Sequence, residues 1–196
     1  ALPAATAVEL IHNFSLIHDD IEDDSPLRRG RPTVWKKWGI PLAINIGDAM
    51  LTLAHISLLR LEETSDCAIA FKAEQVLHQT CLDLTRGQHR DISYAERRDM
   101  QLDAYWPMVT GKTGALLSAC TCLGALVAGA NNEIITAYKE FGLNLGIAFQ
   151  ALDDLLGVWG DAALTGKSTD SDLVSGKKSL PVLYGLSLEG EFADRW

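Results

Sequence analysis

Carboxylates planted on apolar helical patterns constrain this chain most. Val8, Ile11, Phe14, Ile17 and Ile21 recur at three- and four-residue spacing, which predicts a helix over 3–23. That helix ends in His18-Asp19-Asp20-Ile21-Glu22-Asp23-Asp24, and the basic run Arg28-Arg29-Gly30-Arg31-Pro32 follows at once. A second apolar pattern, over 132–160, carries Gln150-Ala151-Leu152-Asp153-Asp154. Carboxylates on such faces are costly unless something compensates them. Two carboxylate walls facing one another would hold divalent cations, and those cations would hold a diphosphate.

The rest of the chain follows the same helical period. Further helices are expected near 41–62, 66–92, 98–129 (one or two) and 132–160, with a short last helix beginning near Leu180-Pro181. Pro26 and Gly30-Arg31-Pro32 close off a basic loop, and 160–176 is a Gly/Ser/Thr/Asp-rich loop. No segment shows strand alternation, so the expectation is a single all-α domain over 1–196 with long helices packed side by side. The chain opens without Met and runs directly into the motif-bearing helix, so N- and C-terminal parts of a longer protein are expected beyond it.

Bulk properties narrow the function. The net charge of −9 argues against a nucleic-acid partner. Apolar residues make up 47%, a globular composition. No signal peptide and no apolar run of membrane-spanning length is expected. Cys67, Cys81, Cys120 and Cys122 lack metal-ligand spacing and read as buried free thiols in a reducing, cytoplasmic compartment.

Asp19 and Asp23 leave one helix face a turn apart, where like charges repel and a hard divalent cation reverses the sign. An acidic run by itself is usually a solvated helix end; the apolar residues before it and the arginines after it argue otherwise. Arg28, Arg29 and Arg31 either neutralise those carboxylates or meet phosphate oxygens. Lys112-Thr113 sits between Gly111 and Gly114 inside a helical pattern. It is no nucleotide-binding loop, because Trp106 stands where that pattern needs its first glycine. Gln88 and Asp91 share a helix face, as do Gln150 and Asp153. Lys167 and Lys177-Lys178 fall in and at the end of the polar loop, where lysines close over phosphates.

In this order the elements resemble the trans-isoprenyl diphosphate synthases, or polyprenyl synthetases. Asp19-Asp20-Ile21-Glu22-Asp23 is similar to the family's first aspartate-rich motif, with Leu27 to Pro32 as its arginine run. Gly87–Asp91, Lys112-Thr113, Gln150–Asp154 and Gly176-Lys177-Lys178-Ser179-Leu180-Pro181 match further elements. The resemblance implies an isoprenoid synthase-type helical bundle around a central cavity, commonly a homodimer, and a prenyltransferase. It implies condensation of isopentenyl diphosphate with an allylic diphosphate, using about three Mg²⁺ ions.

By the family pattern Asp19, Asp23 and Asp153 are metal ligands, and Asp20, Asp91, Asp154 and Asp172 are auxiliary acids. Arg28, Lys112, Lys167 and Lys177 contact diphosphate, Arg29 contacts isopentenyl diphosphate, and Thr113 and Gln150 present dipoles near the cation. Phe14, Ser15 and Ile11, before Asp19, set the cavity's depth, which looks like a C15–C20 product floor with the C20 geranylgeranyl product favoured. The second motif departs from the pattern at Gly157, where the family usually carries Asp, and one extra residue separates Lys167 from Asp172. The alternatives are a class I terpene cyclase, whose Asn/Asp-x-x-Ser/Thr-x-x-x-Glu triad is not found, or a non-catalytic regulatory subunit.

Overall fold

The computed structural model describes residues 1–95, 97, 99–160, 173, 176–188 and 190–196. Helix α1 (Leu2–Glu22) has Pro3 in its first turn and buries Ala4, Ala7, Ile11 and Ile17 along one face. A basic segment comes next. Leu27–Arg28 (β1) pairs antiparallel with Arg31–Pro32 (β2) across Arg29-Gly30. Both turn residues have positive φ, 51° and 73°, the signature of a tight type I′ hairpin. The expected loop is therefore a hairpin, with arms of two residues that are too short to show alternation in the sequence.

A short helix, α2 (Val34–Trp38), which the sequence pattern does not announce, leads into α3 (Ile40–Leu59). Thr33 and the Trp35 indole both donate to the Ser25 carbonyl, at 2.9 Å each, and so fix α2 to the loop. Helices α1 and α3 pack antiparallel. Ser57 meets the Pro3 carbonyl at 3.2 Å at one end, and His18 meets the Ile44 carbonyl at 3.3 Å at the other.

Helix α4 spans Cys67–Ala95. Helix α5 (Tyr105–Val109) runs through a π turn at Thr110–Gly114 into α6 (Ala115–Val127). Helix α7 (Asn132–Trp159) is capped by Asn131, whose side-chain oxygen accepts the Ile134 N–H at 2.9 Å. Helices α8 (Leu180–Ser187) and α9 (Glu191–Arg195) complete the described elements.

The chain forms two compact units, Ala1–Leu82 with Leu116–Gly142, and Asp83–Ala115 with Leu143–Trp196. The first buries Ala7, Ile11, Leu58, Leu61, Leu77 and Leu123. The second buries Met100, Tyr105, Met108, Val109 and Leu183, with Ile147 and Leu180 packed against them.

Two expectations need correction. Of the four free cysteines only Cys122 is buried; Cys67 and Cys120 are exposed and Cys81 lies between. Further, Ile40–Glu63, Leu102–Val127 and Asn132–Trp159 are each long and apolar enough, by length and composition, to cross a membrane. Isolated polar residues such as Asp48, Lys112 and Glu140 break these runs when read one residue at a time. Spread over helices of 24 to 28 residues, they leave long stretches with few charges.

Candidate functional site

The first acidic motif closes α1. The Asp23 N–H donates to the Asp19 carbonyl at 2.9 Å, so the two residues stand one helical turn apart, as their spacing requires. Asp20, beside Asp19, is 4% exposed. Arg28 compensates it, donating from Nε to Asp20 Oδ1 at 2.8 Å and from Nη2 to Asp19 Oδ2 at 3.4 Å. Burial, ahead of that hydrogen bond, holds the Asp20 carboxyl above its ordinary pKa. Arg28 stands in β1, just before the Arg29-Gly30 turn, where pairing with Arg31 holds its backbone. Arg29 itself occupies the turn.

The second unit gathers the remaining motifs around close glycine contacts. A Cβ on Gly111 would lie 2.8 Å from Gly87 Cα, and one on Gly146 would lie 2.7 Å from Gly114 Cα. No larger residue permits these crossings. They draw the π turn against α4 on one side and α7 on the other, which accounts for the glycines flanking Lys112-Thr113. A π turn adds a residue to the helical turn and re-aims its side chains, a device common at functional sites. Lys112 Nζ pairs with Asp91 Oδ2 on α4 at 2.5 Å. Thr113 donates its hydroxyl to Gln150 Oε1 on α7 at 2.6 Å.

From Gln150 the chain of hydrogen bonds continues inward. Gln150 Nε2 donates to Asp154 Oδ1 at 2.8 Å. The other oxygen, Oδ2, accepts from Tyr105 O–H at 2.8 Å and from the Leu180 N–H at 2.9 Å. Asp154 is 2% exposed, so it is a buried carboxylate with both oxygens satisfied. Burial first, then the Asp154 charge, pushes the Tyr105 hydroxyl far above its ordinary pKa, and it serves as a permanent donor. Asp153, the neighbouring carboxylate, is only half-buried, while Gly157, one turn on, is buried.

Comparison with known proteins settles the ancestry. The polyprenyl synthetase family model matches residues 1–194. The chain belongs to the polyprenyl synthetase family. It is 45% identical over 194 residues to a geranylgeranyl diphosphate synthase of Mycobacterium tuberculosis (strain ATCC 25618 / H37Rv), covering 98% of this chain and 54% of that protein. It is 44% identical over 195 residues to a (2E,6E)-farnesyl diphosphate synthase of Mycobacterium bovis (strain ATCC BAA-935 / AF2122/97), covering 100% of this chain and 53% of that one. The crystal structure of a polyprenyl synthetase from Streptomyces coelicolor A3(2) superposes with a TM-score of 0.91 at 44% identity, over 98% of this chain and 56% of that one. The chain thus spans about half the length of the curated relatives it matches. Its all-α fold is that of the isoprenoid synthases.

Within this polyprenyl synthetase chain, Ile11, Phe14, Ser15, Asp19, Asp20, Asp23, Arg28 and Arg29 belong to the first unit. Asp91, Lys112, Thr113, Gln150, Asp153, Asp154 and Lys177 belong to the second. Ile11 is fully buried. Phe14 meets the His18 ring edge-on, with centroids 4.9 Å apart, and Ser15 returns its hydroxyl to the His12 carbonyl at 2.8 Å. Lys177 is half-buried, and Lys178 lies over the Trp196 ring. Lys167 and Asp172 fall outside the described residues.

Sequence reasoning missed Tyr105 and the Leu180 amide. Both reach Asp154 from far along the chain, and a lone Tyr in an apolar stretch carries no local signal. An apolar cleft of about 360 Å³ between Leu102, Trp106, Trp159 and Tyr184 also opens in the second unit. Among the described residues its walls are apolar.

Proposed function

We propose that the protein is a Mg²⁺-dependent prenyltransferase. It condenses isopentenyl diphosphate head-to-tail (1′-4) with an allylic diphosphate, giving a C15–C20 prenyl diphosphate with the C20 geranylgeranyl product favoured. In this reading the protein is a cytoplasmic homodimer, and residues 1–196 belong to one polyprenyl synthetase domain. The observation that supports it most is the meeting of Lys112-Thr113 with an acid on one side and an amide on the other. Lys112 reaches Asp91 across 21 residues and Thr113 reaches Gln150 across 37. Relatives named geranylgeranyl and farnesyl diphosphate synthases support the product class.

The donors fit the metal. Asp19 and Asp23, a turn apart, and the half-buried Asp153 offer carboxylate oxygens, the hard ligands that suit Mg²⁺ together with substrate phosphates. Held by such carboxylates, Mg²⁺ would supply positive charge against the diphosphate. Asp20, Asp91, Asp154 and Asp172 orient neighbouring groups. Asp20 does so through Arg28 and Asp91 through Lys112.

Arg28, Lys112 and Lys167 take up the oxygens of the allylic diphosphate, Arg29 those of isopentenyl diphosphate, and Lys177 also binds substrate. The allylic C–O bond breaks and its electron pair leaves with the diphosphate, whose growing charge these cationic side chains hold. Thr113 and Gln150, locked together, present oxygen dipoles to the allylic cation. The double bond of isopentenyl diphosphate then forms the new C–C bond, and a proton passes to the departed diphosphate. Phe14, Ser15 and Ile11 on α1 limit how far the growing chain extends, and the apolar wall keeps water from the cation.

The test is to incubate full-length protein with Mg²⁺, labelled isopentenyl diphosphate and C5, C10 or C15 allylic primers, then size the products. Linear C15–C20 diphosphates are expected. Cyclic hydrocarbons, or no product from any primer, would overturn the reading.

A further inference from the structure

Away from the aspartate-rich motifs, the first unit holds a second group of metal-ligating side chains. His55 on α3 places Nδ1 3.0 Å from Glu74 Oε2 on α4, and His78, one turn beyond Glu74, places Nδ1 3.6 Å from the same oxygen. Ligand atoms of all three residues lie within 4.8 Å of one another. The imidazole rings stack with centroids 4.4 Å apart. In a tetrahedral site with bonds of about 2.0–2.1 Å, adjacent ligand atoms are about 3.3 Å apart, and the two observed separations bracket that value.

A simple ion pair explains only part of this arrangement. Glu74 is a buried residue, and its second oxygen, Oε1, is sealed from solvent with no hydrogen-bond partner among the described residues. An orphaned carboxylate oxygen is expensive, and an ion held through both oxygens would satisfy it. Burial grades outward through the three ligands. Glu74 is inside, His55 is part-buried and the His78 side chain is 68% exposed, which leaves a path for an ion from solvent. His78 Nδ1 now donates to the Glu74 carbonyl at 2.8 Å, a bond that so exposed a ring can surrender.

We propose that His55, Glu74 and His78 bind one divalent transition-metal ion of the Zn²⁺ class, clamping α3 to α4. Two imidazoles and one carboxylate favour such an ion over Mg²⁺, which prefers oxygen throughout. The site is separate from the first acidic motif. His18, beside that motif, meets α3 at Ile44, and His55 lies 11 residues further on, about 16 Å along the helix axis.

The test is calorimetric titration of full-length protein with Zn²⁺ in excess Mg²⁺, which occupies the all-carboxylate positions. Wild type should bind one Zn²⁺ per chain more than His78→Gln or His55→Gln, and should melt several degrees higher with the metal than without it. Losing a ligand should weaken this site by more than the about 10- to 100-fold that outer partners of a metal cost. Histidine ¹H–¹⁵N spectra of wild type read the site without any substitution. Of the five histidines in residues 1–196, His55 and His78 should shift on Zn²⁺ addition and the other three should not. Equal Zn²⁺ stoichiometry in wild type and His78→Gln, or unmoved His55 and His78 resonances, would overturn the proposal. The readout is independent of prenyl transfer.

Discussion

Thr113 donates its hydroxyl to the Gln150 side-chain oxygen at 2.6 Å, and that single bond sets which way the Gln150 amide faces. With its oxygen engaged by Thr113, the amide must turn its NH₂ toward Asp154. A threonine in a π turn on one helix therefore orients a glutamine on another, which in turn fixes a buried aspartate.

Removing that donor should be felt in turnover more than in folding. Thr113→Val keeps the shape but leaves Gln150 Oε1 without its partner, costing about 1 kcal/mol of stability. Condensation should fall about 10-fold or more if the amide swings. Thr113→Ser, which restores the hydroxyl, should recover most of the rate. Steady-state kinetics on the three proteins, with thermal melts beside them, check this. Equal rates for Val and wild type would contradict it.

Tyr105→Phe should act on stability first. Asp154 Oδ2 would keep only the Leu180 amide, and a buried carboxylate short of a donor costs about 1–3 kcal/mol. Urea denaturation should show the loss as a lower midpoint with an unchanged slope. A midpoint equal to wild type would mean that Tyr105 does not support Asp154.

Asp20 gives a pH signature. Burial raises its carboxyl above the ordinary value of 3.8, so the folded state binds that proton more tightly than the unfolded state. Its contribution to stability is complete below the unfolded value and is lost as pH rises through the folded one. Asp20→Asn should therefore flatten the decline of stability from about pH 4 upward, measured in EDTA. An unaltered slope would show that burial does not control this group.

Phe14→Ala should lengthen the product. The ring lies on α1 between the buried Ile11 and the acidic motif, held edge-on by His18. Without it the longest product by reversed-phase chromatography should gain at least one five-carbon unit. An unchanged product ceiling would place the floor elsewhere.

The sequence disclosed most where local chemistry repeats. Helical spacing of apolar residues located α1, α3, α4 and α7 closely, and the carboxylate turn Asp19–Asp23 was legible because a helix has only one way to place residues four apart. Two-residue strands cannot show a period, so the Arg29-Gly30 hairpin was hidden. The partnership of Asp91 with Lys112 was hidden as well, because it depends on Gly87 and Gly111 meeting in space. Only the family resemblance sets Asp154 apart from Asp153 as an auxiliary acid, and nothing local in the sequence shows what holds it. Its three donors come from Tyr105, Gln150 and Leu180, of which only Gln150 is near in sequence. The cysteines misled because thiols are usually buried, and here Cys67 and Cys120 are on the surface.

The most direct measurement is Mg²⁺-dependent release of diphosphate from a C15 allylic substrate, with and without isopentenyl diphosphate, by full-length wild type and Asp153→Ala. Release by wild type should require isopentenyl diphosphate, match the C20 product one for one, and fall about 100-fold or more in the variant, the order of loss when a stabilising group for developing charge is removed. Release without isopentenyl diphosphate, or full activity in Asp153→Ala, would contradict the account.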